Sequence, residues 1–221
     1  MSSLSTEDHS ASRSLGHWID HAQTRIREWI APLDHVAALV PKCDHVLELG
    51  CGQGILIRKL APRIPRITGV DYDARKCTMA REQLCRGLPG VTIEQADILT
   101  FLATIPDHSV DCVILADTLA SNPVELQERI LTESVRVLAR PGTLLLKIMD
   151  TTPRAKFLFS RLVSELVYRV LRLSVSSHQR LFHQSSTWYG AQLTRLGLTV
   201  RVVSLHRALH NPFSHAVVLG T

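Results

Sequence analysis

The stretch VLELGCGQG, residues 46–54, decides the fold. It opens with an apolar run suited to a buried strand and closes with glycines at alternate positions, 50, 52 and 54. A strand that runs into bare backbone brings main-chain amides close to a ligand, because glycine has no Cβ to hold it away. The segments on either side determine what kind of sheet carries such a turn.

Outward from this stretch, short apolar runs alternate with longer amphipathic segments. The pattern predicts strands at 45–49, 66–70, 91–95, 110–116 and 143–149, and helices at 54–60, 74–86 and 123–139. The RPG at 140–142 marks the exit from the last helix. Strands separated by helices imply right-handed crossovers and parallel pairing. Near the C-terminus the alternation stops, and 198–205 and 213–219 read as an antiparallel hairpin turning at HNP, 210–212. The expected fold is α/β: a doubly wound, mainly parallel seven-strand sheet with a C-terminal antiparallel hairpin. An N-terminal helical cap and a helical insert after the fifth strand complete it.

At 221 residues the chain suits one domain, and 45% hydrophobic with 20% charged residues is ordinary globular composition. The formal charge of +5 neither requires nor rules out an anionic partner, and 5% aromatic residues weigh against a base-stacking surface. Five cysteines, an odd number with no CxxC pair, argue against a disulfide framework and against a zinc site. A reducing, cytoplasmic setting and no metal are therefore expected. Residues 1–14 are polar and Ser-rich, a flexible tail without the apolar core of a signal peptide. No run of about 18 uncharged apolar residues occurs, so no membrane span is expected.

The rest, 15–221, reads as one domain. Apolar positions from Leu15 to Leu33, including Trp18 and Trp29, recur at helical spacing, giving N-terminal helices within 15–40 that pack on the flank or cap a cleft. Residues 151–190 form the insert. Its segment FLFSRLVSELVYRVLRLSV, 157–175, sets Arg161, Glu165, Arg169 and Arg172 on one polar stripe against a wide apolar face. Three readings fit such a helix: a cover over the sheet or cleft, contact with a hydrophobic substrate, or peripheral contact with a membrane surface.

Two ligand classes use a glycine-rich strand-to-helix turn in open α/β sheets, dinucleotides and S-adenosylmethionine (SAM). The dinucleotide pattern GxGxxG would place its last glycine at 55 or 57, and both are isoleucine. Glu48 beside the turn would oppose a pyrophosphate but suits a ligand carrying ammonium and sulfonium groups. The second strand ends in GVDYD, where Asp71 can accept hydrogen bonds from both ribose hydroxyls. After the third strand comes QADIL, where Asp97 can accept from an adenine amino group while Ile98 and Tyr72 pack on the ring. Each acid alone could equally be a helix cap. Three such features at three successive strand ends are harder to assign to capping.

These segments, with PDHSVDCVILADTL and VRVLARPGTLLLKI, resemble the class I SAM-dependent methyltransferases across about 44–150, in that family's order and spacing. Thr143 stands where the family's LxPGG passage has its second glycine. The resemblance implies that Glu48, Gly50, Gly52 and Gly54 surround the methionine part of SAM. Asp71 would then hold the ribose, with Tyr72, Asp97 and Ile98 at the adenine. Asp117, past the fourth strand, would sit where the cleft passes from cofactor to substrate. Methyl transfer asks a protein chiefly to align donor and acceptor and exclude water, with a base where an oxygen or nitrogen acceptor must lose a proton. Asp117 and His183 are the candidate catalytic residues; His183 and His178 flank the end of the inserted helix, where a lid would lie. The position after the fourth strand reads ADTLASNP and lacks the [DN]PP[YF] motif of base- and glutamine-amino methyltransferases. The expected acceptor is a small organic molecule of apolar or anionic character, such as a lipid, quinone or polyketide-like compound, and not nucleic acid. The alternatives are an RNA or protein methyltransferase and a non-catalytic SAM-binding protein. Oligomeric state is not legible.

Overall fold

The structure, a computed structural model, describes residues 32–171, 181–205 and 213–221. The chain divides into two compact units, Met1–Leu33 and Asp34–Thr221. The sheet belongs to the second. The expected tail, the helix expected over 15–33, the HNP turn and His178 lie outside the described residues.

A short helix, α1 (Leu33–Leu39), precedes β1 (His45–Leu49). Val46, Leu47 and Leu49 of β1 are all buried, an apolar run interrupted only by buried Glu48 in a strand covered on both faces. There follow α2 (Ile55–Leu60), β2 (Arg66–Asp71), α3 (Ala74–Ala80), β3 (Val91–Gln95), α4 (Ile98–Leu102) and β4 (Val110–Ala116). The chain continues through α5 (Val124–Val137), β5 (Leu138–Met149), α6 (Arg154–Leu171), α7 (Ser186–Arg195), β6 (Val200–Ser204) and β7 (His215–Gly220). The seven strands lie in the order β3-β2-β1-β4-β5-β7-β6. Pairings among β1 to β5 are parallel, and β7 runs antiparallel to both β5 and β6.

Side chains alternate across this sheet into two cores. Val46, Ile67, Ile93 and Ile114 pack with Leu56, Ile57 and Leu60 of α2 on one face. Leu47, Val70, Val113 and Leu146 pack with Ile130 and Leu131 of α5 and Tyr189 and Leu193 of α7 on the other. With helices on both faces, the sheet has one place where the strand order reverses, between β1 and β4, and there a ligand cleft opens at the carboxyl ends of the strands.

Four details depart from the expected elements. The helix expected over 74–86 is α3 followed by a wider π-type turn, Arg81–Cys85. Strand β5 begins at Leu138 rather than 143, because Leu138 pairs with Val110 before the register shifts to Cys112 and Thr143. Helix α4 is too short to show a period. Helix α7, STWYGAQLTR, contains glycine and residues of weak helix propensity; burial of Tyr189 and Leu193 holds it in place.

Candidate functional site

The turn after β1 is a run of left-handed backbone: φ is 78° at Gly50, 55° at Gly52 and 74° at Gly54. Two of these positions meet residues from neighbouring strand ends. At Gly50 a Cβ would lie 2.4 Å from Thr118 Oγ1, and that hydroxyl donates to Leu49 O at 2.9 Å, closing the gap between the ends of β1 and β4. At Gly52 the amide must point at Asp71, whose Oδ2 accepts from Gly52 N at 2.8 Å. The other oxygen, Oδ1, accepts from Asp73 N at 2.9 Å. Asp71 thereby fixes the glycine turn and the start of α3 together. Each carboxylate oxygen has two lone pairs, so these bonds leave acceptor capacity for a sugar.

Glu48 and Asp71 are both buried. The Cys51 thiol between them is pushed well up, first by burial and then by the charges of Glu48 and Asp71. Two buried carboxylates act on one thiol beside the backbone turn, so the charge there is negative. It fits a ligand bearing sulfonium and ammonium groups and opposes a pyrophosphate. Beyond it Tyr72 is 68% exposed, an uncovered ring at the end of β2 where a purine could stack. Asp97 caps α4, its Oδ1 accepting from Thr100 N at 3.0 Å and Thr100 Oγ1 at 3.2 Å, and Ile98 opens that helix half-buried. The acids at 71 and 97 thus serve local backbone, as the capping alternative allowed, while remaining at the edge of the cleft.

On the other side of the switch point, Asp117 has left-handed backbone, φ 59°, uncommon for any residue but glycine. It is tied twice to Lys147 of β5: its amide donates to Lys147 O at 2.9 Å, and its Oδ2 pairs with Lys147 Nζ. Lys147 is only 1% exposed. His183 stands half-buried with its ring edge against Phe157, centroids 5.3 Å apart. It therefore meets the first turn of α6. Burial lowers the His183 pKa from its ordinary value; the charge of Asp117 opposes that shift and Arg161 reinforces it. Asp117 and His183, chosen separately from the sequence, act on each other electrostatically.

Residues that the sequence reading passed over hold His183 there. Phe182 N donates to Ala120 O at 2.7 Å. Buried Gln127 donates through Nε2 to Phe182 O and to Asn122 O, both at 2.8 Å, and its Oε1 accepts from Tyr189 Oη at 2.7 Å. Buried Asp150, just past β5, accepts from Ser186 Oγ at 2.6 Å and from Ser186 N at 3.2 Å. Segment 181–186 is thus fastened to α5 and to the ends of β4 and β5. Lys147, a lone charge in the apolar run TLLLKIM, and Asp150, another acid at a strand end, carried a readable signal. Gln127 resembled any helix surface residue.

The family described as "Methyltransferase domain" matches residues 46–142. An uncharacterized methyltransferase from Mycobacterium tuberculosis is 37% identical over 84 residues, 38% of this chain and 40% of that protein. The chain therefore spans well under two thirds of that relative's length. A demethylmenaquinone methyltransferase from Tropheryma whipplei is 26% identical over 76% of this chain and 75% of its own. The crystal structure of a SAM-dependent methyltransferase from Aquifex aeolicus superposes with a TM-score of 0.64 at 18% identity, over 92% of this chain and 96% of that one, and so shares the fold. The glycine turn with its buried acids, the strand order and the domain match agree: residues 46–142 match a methyltransferase domain, and the sheet that carries them has the fold of SAM-dependent methyltransferases.

Proposed function

We propose that the chain transfers a methyl group from SAM to a small organic acceptor of apolar character. One observation carries this reading: buried Glu48 and Asp71 flank a turn of left-handed glycines at the sheet's switch point, a negative cradle made for a cationic adenosyl ligand. Bound SAM supplies a methyl carbon already activated by its sulfonium. Glu48 and the amides of 50–54 hold the methionine end, Asp71 the ribose, and Tyr72, Asp97 and Ile98 the adenine.

The remaining residues orient the acceptor and manage its proton. His183, whose pKa is lowered by burial, accepts the proton at a ring nitrogen when the acceptor is a hydroxyl or amine. Asp117, fixed by Lys147, stabilises the imidazolium that results. Phe157 beside His183 gives the acceptor side an apolar border. The Tropheryma whipplei relative, named for a demethylated quinone, supports a small acceptor of this kind.

Incubation with methyl-labelled SAM and a size-fractionated cell extract tests the reading. Label is expected in the low-molecular-weight, organic-extractable fraction. Label in RNA or protein would overturn the small acceptor, and bound but intact SAM in every fraction would overturn the enzyme.

A further inference from the structure

Helix α6 has two unlike faces. Its inner face is fastened to the sheet: Ser214 N donates to the buried Ser160 Oγ at 3.0 Å, and Phe159 meets Phe213 with ring centroids 6.1 Å apart. Among the described residues its first turns carry an apolar, exposed outer face. Leu158 is 61% and Leu162 67% exposed, and leucines at i and i+4 lie one above the other on a helix. Arg154 and Arg161 are exposed on the same stripe, at spacings of four and three from Leu158. Over its whole length the helix carries Arg154, Lys156, Arg161 and Arg169 against a single acid, Glu165. No described helix is long and apolar enough to cross a membrane.

We propose that this face of α6 rests on an anionic lipid surface, with Leu158 and Leu162 in the headgroup–acyl boundary and Arg154 and Arg161 against lipid phosphates. Apolar side chains bordered by arginines complement such a surface in both respects. A second copy of the chain would complement it poorly, because a two-fold contact sets the same patch against itself, and each helix brings four basic residues to one acid. A nucleic acid would engage the arginines but leave the leucines in water. The placement serves the cleft: Phe157 on this helix touches His183, so an acceptor dissolved in lipid would enter on the acceptor side. Lipid binding itself does not depend on methyl transfer.

The test uses the full chain in co-sedimentation with phosphatidylcholine vesicles, with and without phosphatidylglycerol. Binding to the phosphatidylglycerol vesicles is expected, weakening as salt rises. Leu158→Ser with Leu162→Ser should weaken it by about tenfold or more. Arg154→Gln and Arg161→Gln should each weaken it by roughly fivefold. All four positions are exposed, so thermal unfolding and calorimetric SAM affinity should stay unchanged, which separates failure here from failure of the methyltransferase reading. Absence of sedimentation with anionic vesicles would overturn the proposal. So would binding indifferent to the leucine pair, which would reduce it to net charge, or a dimer that the leucine pair dissociates without any lipid binding.

Discussion

The β1–β2 side of the cleft is held by nearby backbone, whereas the β4–β5 side is held by side chains recruited from far along the chain. Asp71 grips Gly52, 19 residues before it, and Asp73, two residues on, through main-chain amides. Asp117 depends on Lys147, 30 residues away, and the segment carrying His183 depends on Gln127 across 55 residues. The first arrangement fixes one ligand shape whatever surrounds it. The second changes with any neighbour, so one cradle can serve different acceptors.

Substitutions on the two sides should therefore fail differently. Gly50→Val has the largest expected effect. It sets a branched side chain at φ 78° and drives its Cβ into Thr118, so SAM binding should vanish in calorimetry; a folded variant with normal affinity would break the cradle. Asp117→Asn should cost about 3 kcal/mol in denaturant unfolding, because buried Lys147 loses its facing carboxylate. It should also abolish methyl transfer while SAM affinity holds. Asp71→Ala should weaken SAM by about 2 kcal/mol, the scale of hydrogen bonds to a charged group; unchanged affinity would remove the ribose role.

This division also decides what could be read in advance. Strands β1 to β4 and the acids at 48, 71 and 97 were legible because periodicity and strand-end position are local properties of the sequence. The anchoring of 181–186 was not, since nothing in SSTWYG announces that Asp150 and Gln127 meet it. The left-handed Asp117 was visible as an acid after β4 but not as the partner of a buried lysine. Within the insert expected over 151–190, the helix α6 backs His183 through Phe157 in its first turn.

The smallest expected effect is in the pH dependence of stability. His183 and His45 both have lowered pKa values, chiefly from burial. Above about pH 6.5, the ordinary histidine value, they are neutral folded and unfolded, and the term vanishes. As pH falls through that value the unfolded chain takes up protons that the folded chain resists, so stability drops until the lower folded values are reached. Urea midpoints should decline across that window, less steeply in His183→Gln; an unchanged slope would place His183 in contact with water.

Isothermal titration of the chain with SAM, S-adenosylhomocysteine and NAD bears on the cradle itself. Saturable heat is expected from the first two and none from NAD, whose pyrophosphate would face Glu48 and Asp71. Heat from NAD, with neither adenosyl ligand binding, would contradict the assignment of the glycine turn.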